Sequence, residues 1–372
     1  MSRISIGFLG NMYFDTRTRN LFHSLTSRGH EVFFFGFDWE TPDFPALTKT
    51  HVCIRKLKKN RFSVLFYVQF ARQLSVQLMR HRSDFYVASD FYSLPFCAMA
   101  ARWWGSKLIY DSRELYTELP AFHDKTFFKW IVRCIEKWCV QKAHSVTTTG
   151  SLDARYLFQL YGIQNTVLLR NLPCRQGVSG AVDYATRFPC SVSGKLLVYQ
   201  GILVPGRGIE TAFRVLQQLP SAGLVLLGDG DFNVYYRKMS DSLGIRDRVC
   251  FAGKIPQETL LRHTAGTDIG LSLIDNVCDN NFLALPNKLF EYIMAGLPVV
   301  VTDLPQMKAV VEQYRVGAVV PVGDADAVVD VLQRWDSHPS EFNALRENCR
   351  KASRILNWET EFENVYEHLF HV

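Results

Sequence analysis

No apolar run in this sequence is long enough to span a bilayer, and the N-terminal stretch MSRISIGFLGN stops at Gly10 before a signal-peptide core could form. Those two absences lead us to expect a cytoplasmic protein. Paired cysteines are also missing. The nine cysteines are odd in number and scattered without a metal-site spacing, which suits free thiols in a reducing compartment better than a disulfide framework. The ten histidines show no ligand spacing, and no short-period repeat is present. Charge of one sign is scarce: the net charge is +6, with 21% charged and 48% hydrophobic residues, which excludes a disordered or fibrous chain. At 372 residues the chain is too long for one hydrophobic core, so two domains are expected.

Buried-strand patterns alternate with helical ones along the first half. RISIGFLG, HEVFFFGF, DFYVASD, KLIYDS, SVTTTG and TVLLRN read as strands, with helices between them. Asp15 or Thr16 can cap the first helix, and a long helical region runs from Thr126 to Ala143. Residues 173–194 carry prolines, glycines and small polar residues and read as a linker between residues 1–172 and 195–354. A second alternating series follows, from KLLVYQG to GAVVPV, and the tail from Ala344 reads as helical throughout. The fold class this implies is α/β, two Rossmann-like doubly wound domains. The basic run RKLKKNR at 55–61, followed by an aromatic-rich helix, is either an ordinary solvated loop or, within 55–80, a seat for an anionic membrane surface.

In open α/β sheets ligands sit at the carboxyl ends of strands, where helix N-termini offer free N–H groups to anions. Gly10 and Asn11 follow the first strand; Gly201 follows the first strand of the second half, with Arg207 and Gly208 at a helix start. An ordinary tight turn accounts for the glycines equally well, but Arg207 opposes the helix dipole and is better explained by an anion. In DNNFLALPNKLFEYIMAGLPVVVTD, Pro286 opens a helix and leaves the N–H groups of Asn287, Lys288 and Leu289 without intrahelical partners. Lys288 is again set against the dipole. Glu291 serves either to complete a cap or to accept two ribose hydroxyls. Taken with Arg207, the second use is favoured, and phosphate plus ribose describes a nucleotide.

LVYQG...GRGIE, GDGD, FAGKIP and PNKLFEYIMAGLPVVVTD, in this order, resemble the donor half of a retaining glycosyltransferase of family four with the GT-B fold. DTRTRNLFHSLTSRGHEV and SDFYSLPFCAMAARWWGSKLIYDSRELYTE resemble the acceptor half of that family, and NWETEFENVYEHL resembles its closing helix. The resemblance covers essentially the whole chain. It implies two domains facing a cleft, with residues 355–372 crossing back to the first. It also implies a nucleoside diphosphate sugar as donor, no other cofactor, and a saccharide or lipid-linked saccharide acceptor of cell-surface polysaccharide assembly. Nucleic acid is not an expected partner, and the protein would work at the inner face of the plasma membrane. Carried over, Glu291 holds the ribose; Arg207 faces the diphosphate with Lys288; Gly253, Lys254 and Ile255 lie against the base; Gly10 and Asn11 approach the donor phosphates.

Two positions depart from the family pattern. Leu283 stands where a glutamate contacts the transferred sugar, which shifts sugar contacts to Asn281 or backbone groups. Arg113 stands where a histidine is frequent; it cannot act as a base but can stabilise a departing phosphate or bind an acidic acceptor. Glu114 beside it is either a helix first-turn residue or a base. The pairs Asp229/Asp231 and Asp324/Asp326 match an Asp-x-Asp metal pattern but read as a turn and a helix cap, so no obligatory metal is expected. His30, His123 and His263 read as structural or surface residues. The competing readings are a sugar-nucleotide-binding protein without turnover and a Rossmann oxidoreductase. The latter is disfavoured because GNMYFD lacks the later glycines of a dinucleotide fingerprint.

Overall fold

The protein is described by a computed structural model covering residues 1–39, 45–58, 63–118, 125–178, 180–184, 186 and 192–371. His123, residues 59–61 of the basic run with 62 after it, and 179, 185 and 187–191 of the expected linker lie outside the described residues. The chain divides into two compact units, Met1–Arg170 with Phe362–Val372, and Asn171–Glu361.

Strands buried on both faces need continuous apolar runs rather than alternation, and those runs form the sheet of the first unit. In chain order its elements are β1 (Arg3–Gly7), α1 (Thr16–Ser27), β2 (Glu31–Asp38), β3 (Leu47–Thr48), β4 (Val52–Lys56), α2 (Ser63–Arg80), β5 (Phe85–Ala88), α3 (Leu94–Trp104), β6 (Lys107–Ser112), α4 (Thr126–Val140), β7 (Ser145–Thr148), α5 (Ser151–Tyr161) and β8 (Thr166–Leu168). Among the described residues the sheet order is β3-β4-β2-β1-β5-β6-β7-β8, parallel except for the β3–β4 pair. Ile6 lies between Phe34 and Val87 in register, and all three are buried. Asp15 caps α1, its carboxylate accepting from the Thr18 N–H at 2.7 Å. The basic run does not begin as a loop: Arg55 and Lys56 belong to β4, and Lys56 pairs with the buried Asp38 at 3.4 Å.

The second unit contains β9 (Leu196–Gln200), α6 (Ile209–Gln218), β10 (Gly223–Leu227), α7 (Asn233–Ser242), β11 (Val249–Gly253), α8 (Gln257–Thr264), β12 (Ile269–Ser272), α9 (Asp279–Phe282), α10 (Asn287–Met294), β13 (Val299–Thr302), α11 (Pro305–Tyr314), β14 (Gly317–Val320), α12 (Ala325–Ser337) and α13 (Pro339–Ser353). Its parallel sheet runs β11-β10-β9-β12-β13-β14. Side chains alternate across it: Leu197 and Tyr199 of β9 enter one apolar cluster, while Val198 enters the other. The strand order reverses at β9, which makes its carboxyl end the place where such sheets take ligands.

Two expectations about boundaries change. Residues 173–194 are not a free spacer: Tyr184 is buried in the second unit, and the Val182 N–H donates to the Arg262 carbonyl at 3.0 Å. The tail is not one helix, because α14 (Trp358–Phe370) is separated from α13. Asn357 makes the break, donating to the Ser353 and Arg354 carbonyls and accepting from the Thr360 N–H at 3.0 Å as an N-cap. From Phe362 onward α14 belongs to the first unit, with Tyr366 Oη 2.6 Å from His30 Nε2 and Phe370 edge-on to Phe85.

Candidate functional site

The site of the second unit grows from the end of β9. The Gln200 N–H donates to Tyr292 Oη at 2.9 Å, which pins the strand end to α10. The Gln200 amide then works in two directions: its oxygen accepts from Thr264 Oγ1 at 3.0 Å, and its nitrogen donates to the Glu291 carboxylate. Gln257 Nε2 donates to Glu291 from a second side at 3.2 Å. Burial pushes the Glu291 carboxyl up from its ordinary value, while the two amides and Lys288 pull it back. Beside it lies an open hollow whose walls include Pro173, Gln257, Leu260 and Met294.

One turn before Glu291, Lys288 is 7% exposed, and its Nζ is buried with no hydrogen-bond partner among the described residues. It sits 4.0 Å from the centre of the Tyr199 ring, whose hydroxyl is occupied donating to the Ile202 carbonyl. Burial drives the Lys288 ammonium down to about 7; repulsion from Arg207 adds to this and Glu291 opposes it. The loop between β9 and α6 needs its glycines. Gly208 has φ 79°, and a Cβ there would run into the Leu273 carbonyl oxygen. Arg207, half-buried beside it, brings a second positive charge to the same strand end.

In the first unit, the loop after β1 carries Gly10, whose carbonyl accepts from the Phe37 N–H at 2.9 Å. Asn11 is buried; its oxygen accepts from the Tyr13 N–H and its amide reaches Asp38 at 3.3 Å. Asp111, at the end of β6, is buried between Arg17 at 2.6 Å and Arg113 at 2.8 Å, and accepts from Thr147 Oγ1 at 2.6 Å. Arg113 also pairs with Asp15 at 2.8 Å and donates to Thr18 Oγ1 at 2.6 Å, with its guanidinium 5.0 Å over the Phe8 ring. These partners hold the Asp111 carboxyl well below the usual carboxylate range in spite of burial.

With both units in view, comparison with known proteins is decisive. The family described as glycosyl transferases group 1 matches residues 191–355, and the glycosyl transferase 4-like domain matches residues 15–171. The chain thus carries a glycosyl transferase 4-like domain followed by a glycosyl transferases group 1 domain. It is similar to the Vi polysaccharide biosynthesis protein VipC/TviE of Salmonella typhi, 32% identical over 167 residues, covering 44% of this chain and 24% of that protein. It is also similar to the lipopolysaccharide core biosynthesis glycosyltransferase LpsE of Rhizobium meliloti, 27% identical over 154 residues, covering 41% and 43%. The matched stretches thus span less than half of these relatives. In fold it is similar to the solved sucrose-phosphate synthase of Thermosynechococcus elongatus, with TM-score 0.80, 18% identity and coverage of 100% and 99%. Anabaena HepE, solved in complex with UDP, gives 0.71 at 15% identity, covering 99% of each chain.

Within the group 1 domain, Arg207, Gly208, Lys288 and Glu291 lie near the end of β9. Gly201 is there too, its N–H donating to the Leu227 carbonyl at 2.9 Å. Gly253, with φ 75°, accepts from the Gly228 N–H at 2.9 Å, Lys254 is exposed, and Ile255 packs on the core cluster that holds Leu289. Asn287 is exposed at the first turn of α10. Leu289 is corrected: its side chain is fully buried in the core and its N–H donates to the Pro286 carbonyl at 3.1 Å, so it offers no free donor. Asn281 is buried and donates to the Asp275 carbonyl at 3.0 Å, tying the loop that follows β12. Leu283 is half-buried, and its carbonyl accepts from Gln306. Glu114 is not in a helix first turn; it is exposed ahead of a short 3-10 turn at Tyr116–Glu118.

The side chains read as structural are engaged in that way. Asp229 accepts from the Gly230 N–H and from Asn233, and Asp324 caps α12 through the Ala327 N–H at 2.9 Å. Asp326 accepts from Gln218 at 2.6 Å, and His263 Nδ1 is 2.6 Å from Tyr184 Oη. Sequence reasoning missed Gln200, Gln257 and Thr264. Gln200 leaves a trace, a polar residue closing the apolar run LLVYQ; Gln257 and Thr264 leave none, because their role comes from α8 packing beside α10.

Proposed function

We propose that the protein is a retaining, metal-independent glycosyltransferase that moves a sugar from a nucleoside diphosphate sugar to a glycan or lipid-linked acceptor in cell-surface polysaccharide biosynthesis. The observation that carries this reading is the buried, unpartnered Lys288 ammonium, one helical turn from a carboxylate held by two amides. A buried cation without a partner is costly, and a diphosphate at the N-terminus of α10 would relieve that cost. Glu291, oriented by Gln200, accepts from the ribose hydroxyls, and Arg207 shares the diphosphate charge with Lys288. Gly253, Lys254 and Ile255 border the base. The main catalytic task is to stabilise charge on the departing diphosphate, which two cations and helix N–H groups do without a metal. The acceptor attacks from the leaving group's face, and the departing phosphate takes its proton.

Solved neighbours in complex with UDP and UDP-glucose support a nucleotide-sugar donor, and relatives in Vi polysaccharide and lipopolysaccharide core biosynthesis support a polysaccharide or lipopolysaccharide product. Working at the cytoplasmic face of the membrane, with residues 55–80 near anionic lipid, suits a lipid-linked acceptor. The test is transfer of labelled sugar from a panel of UDP-, GDP-, ADP- and dTDP-sugars to a lipid extract, with and without chelator, followed by the anomeric configuration of the product. Transfer that survives chelation with retained configuration supports the reading; an inverted product or an absolute metal requirement refutes it. A second reading, a sugar-nucleotide-binding protein without turnover, is favoured by Leu283 in the sugar-contact position and by Arg113 locked between Asp15 and Asp111. Nucleotide binding with no transfer to any acceptor would select it.

A further inference from the structure

Three helices of the first unit form a row. The strands β4, β5, β6 and β7 are joined by crossovers that all advance in one direction across the sheet, apart from the step over β2 and β1, so right-handed connections place α2, α3 and α4 on one face. α2 packs on α3, and α3 on α4. Each buries one side against the sheet or its neighbour, yet each also turns large apolar side chains outward. Val64 and Val68 of α2 are exposed, as is Met99 of α3, while Trp103 is 71%, Phe127 67% and Trp130 61% exposed. On α4 the spacing of Phe127, Trp130, Cys134 and Trp138 makes a second apolar stripe, opposite the buried Glu136, Cys139 and Val140.

A surface helix that is apolar on both faces, with tryptophans outermost, needs an occupant for its outer face. Charge identifies that occupant. The three helices contain six bases, Arg72, Arg80, Arg102, Lys129, Arg133 and Lys137, and a single acid, Glu136. Glu136 is 2% exposed and faces inward, accepting from Tyr110 and Tyr161. Lys129 and Arg133 are spoken for by Glu118, but Lys137 is exposed, and the exposed Lys125 and Lys142 flank the helix. A second copy of this chain would bring bases against bases. An anionic lipid surface meets both demands, taking tryptophan and phenylalanine rings at headgroup depth while its charge attracts the flanking lysines.

We propose that the outer face of α4, with Trp103 of α3 and the start of α2, is the surface by which this protein lies on an anionic bilayer, α4 resting in the interface plane. This deepens the reading of a lipid-linked acceptor and rests on it for its purpose, but the contact is measured without turnover. The full chain is sedimented with phosphatidylcholine vesicles containing or lacking phosphatidylglycerol, and its tryptophan emission is followed with brominated lipid. The expected result is binding only with the anionic lipid, with quenching. A combined Phe127→Ser, Trp130→Ser and Trp138→Ser variant should partition about tenfold or more weakly. Its far-ultraviolet circular dichroism and nucleotide-induced thermal shift should match wild type, which separates lost docking from lost folding. Wild type that ignores anionic vesicles, or binds them without quenching, overturns the proposal. So does a variant that binds as wild type does, or a concentration-dependent dimer that the variant abolishes while vesicles go unbound. Vesicle binding without sugar transfer would instead remove the acceptor reading and leave this contact standing.

Discussion

Lys288 Nζ lies 4.0 Å from the centre of the Tyr199 ring, inside the second unit, and among the described residues no oxygen accepts a hydrogen bond from it. The ring face offers a cation only part of what water would supply, so the side chain waits half-satisfied. Replacing Lys288 with methionine keeps the stem and removes the charge. We expect the ligand-free K288M variant to be more stable at pH 7 by about 1–3 kcal/mol and to lose nucleotide binding. Denaturant melts with and without nucleotide check both effects; a less stable variant with intact binding would argue against the assigned role.

The same lysine sets a pH dependence. Its folded value is pushed down to about 7, whereas an unfolded lysine titrates near about 10.4. Between those values the unfolded chain binds the extra proton, so this group makes ligand-free stability rise with pH across that window and leaves it unchanged below. A bound diphosphate favours the charged form. Nucleotide affinity should therefore fall above pH 7, by up to about tenfold per unit, with proton uptake on binding. Calorimetry in two buffers of different ionisation heat measures that uptake, and its absence at pH 8 would contradict the contact.

Glu291 is expected to read ribose. Wild-type protein should prefer a ribonucleoside diphosphate over its 2′,3′-dideoxy analogue by about tenfold or more, and Glu291→Gln should erase most of that preference. Gln200→Ala should weaken binding of both compounds, because it frees the carboxylate that Gln200 and Thr264 orient together. Competition binding with the two analogues reads the difference.

Much of this arrangement was legible in the sequence. The alternation of apolar runs with helical periods points to two mainly parallel sheets, and Arg207 and Lys288 stood out by opposing helix dipoles. What the sequence hid depends on distant packing. Gln257 and Thr264 reach the site from α8, and Arg17 meets Asp111 across 94 positions of chain. The break at Asn357 was hidden for a different reason: its cap hydrogen bonds are local, but the surrounding helical composition is uninterrupted. Leu289 misled because a free N–H at a helix start is a rule about α-helical bonds, and a tighter turn to Pro286 satisfies it.

In the first unit, Arg113 is bound on three sides by Asp15, Asp111 and Thr18. Arg113→Ala leaves buried Asp111 with one cation fewer and should cost about 3 kcal/mol or more. Arg113→Lys should recover only part, since an ammonium cannot span three acceptors in the guanidinium's plane. Stability from the depressed Asp111 carboxyl is complete above its unfolded value and is lost only as pH falls below it toward the folded value. The R113A variant should therefore lose part of its stability already at neutral pH and show a smaller further loss in acid than wild type. Equal acid profiles would contradict this.

Gly208→Ala forces a side chain into the Leu273 carbonyl at a positive φ and should destabilise the second unit by about 3 kcal/mol or more. The neighbouring Gly206, where among the described residues a Cβ would meet Val277 and Asn281 side chains at 3.6 Å and 3.8 Å, should tolerate alanine at the smaller cost of its own positive φ, 79°. Thermal melts of the two variants give the contrast.

The central claim is that the end of β9 is a nucleoside diphosphate site built by Lys288 and Glu291. It is tested most directly by isothermal titration of UDP, GDP, ADP and dTDP into wild-type protein and into Glu291→Ala. We predict that at least one nucleotide binds wild type and that the variant binds it about a hundredfold more weakly. Failure of every nucleotide to bind wild type, or unchanged affinity in the variant, would contradict it.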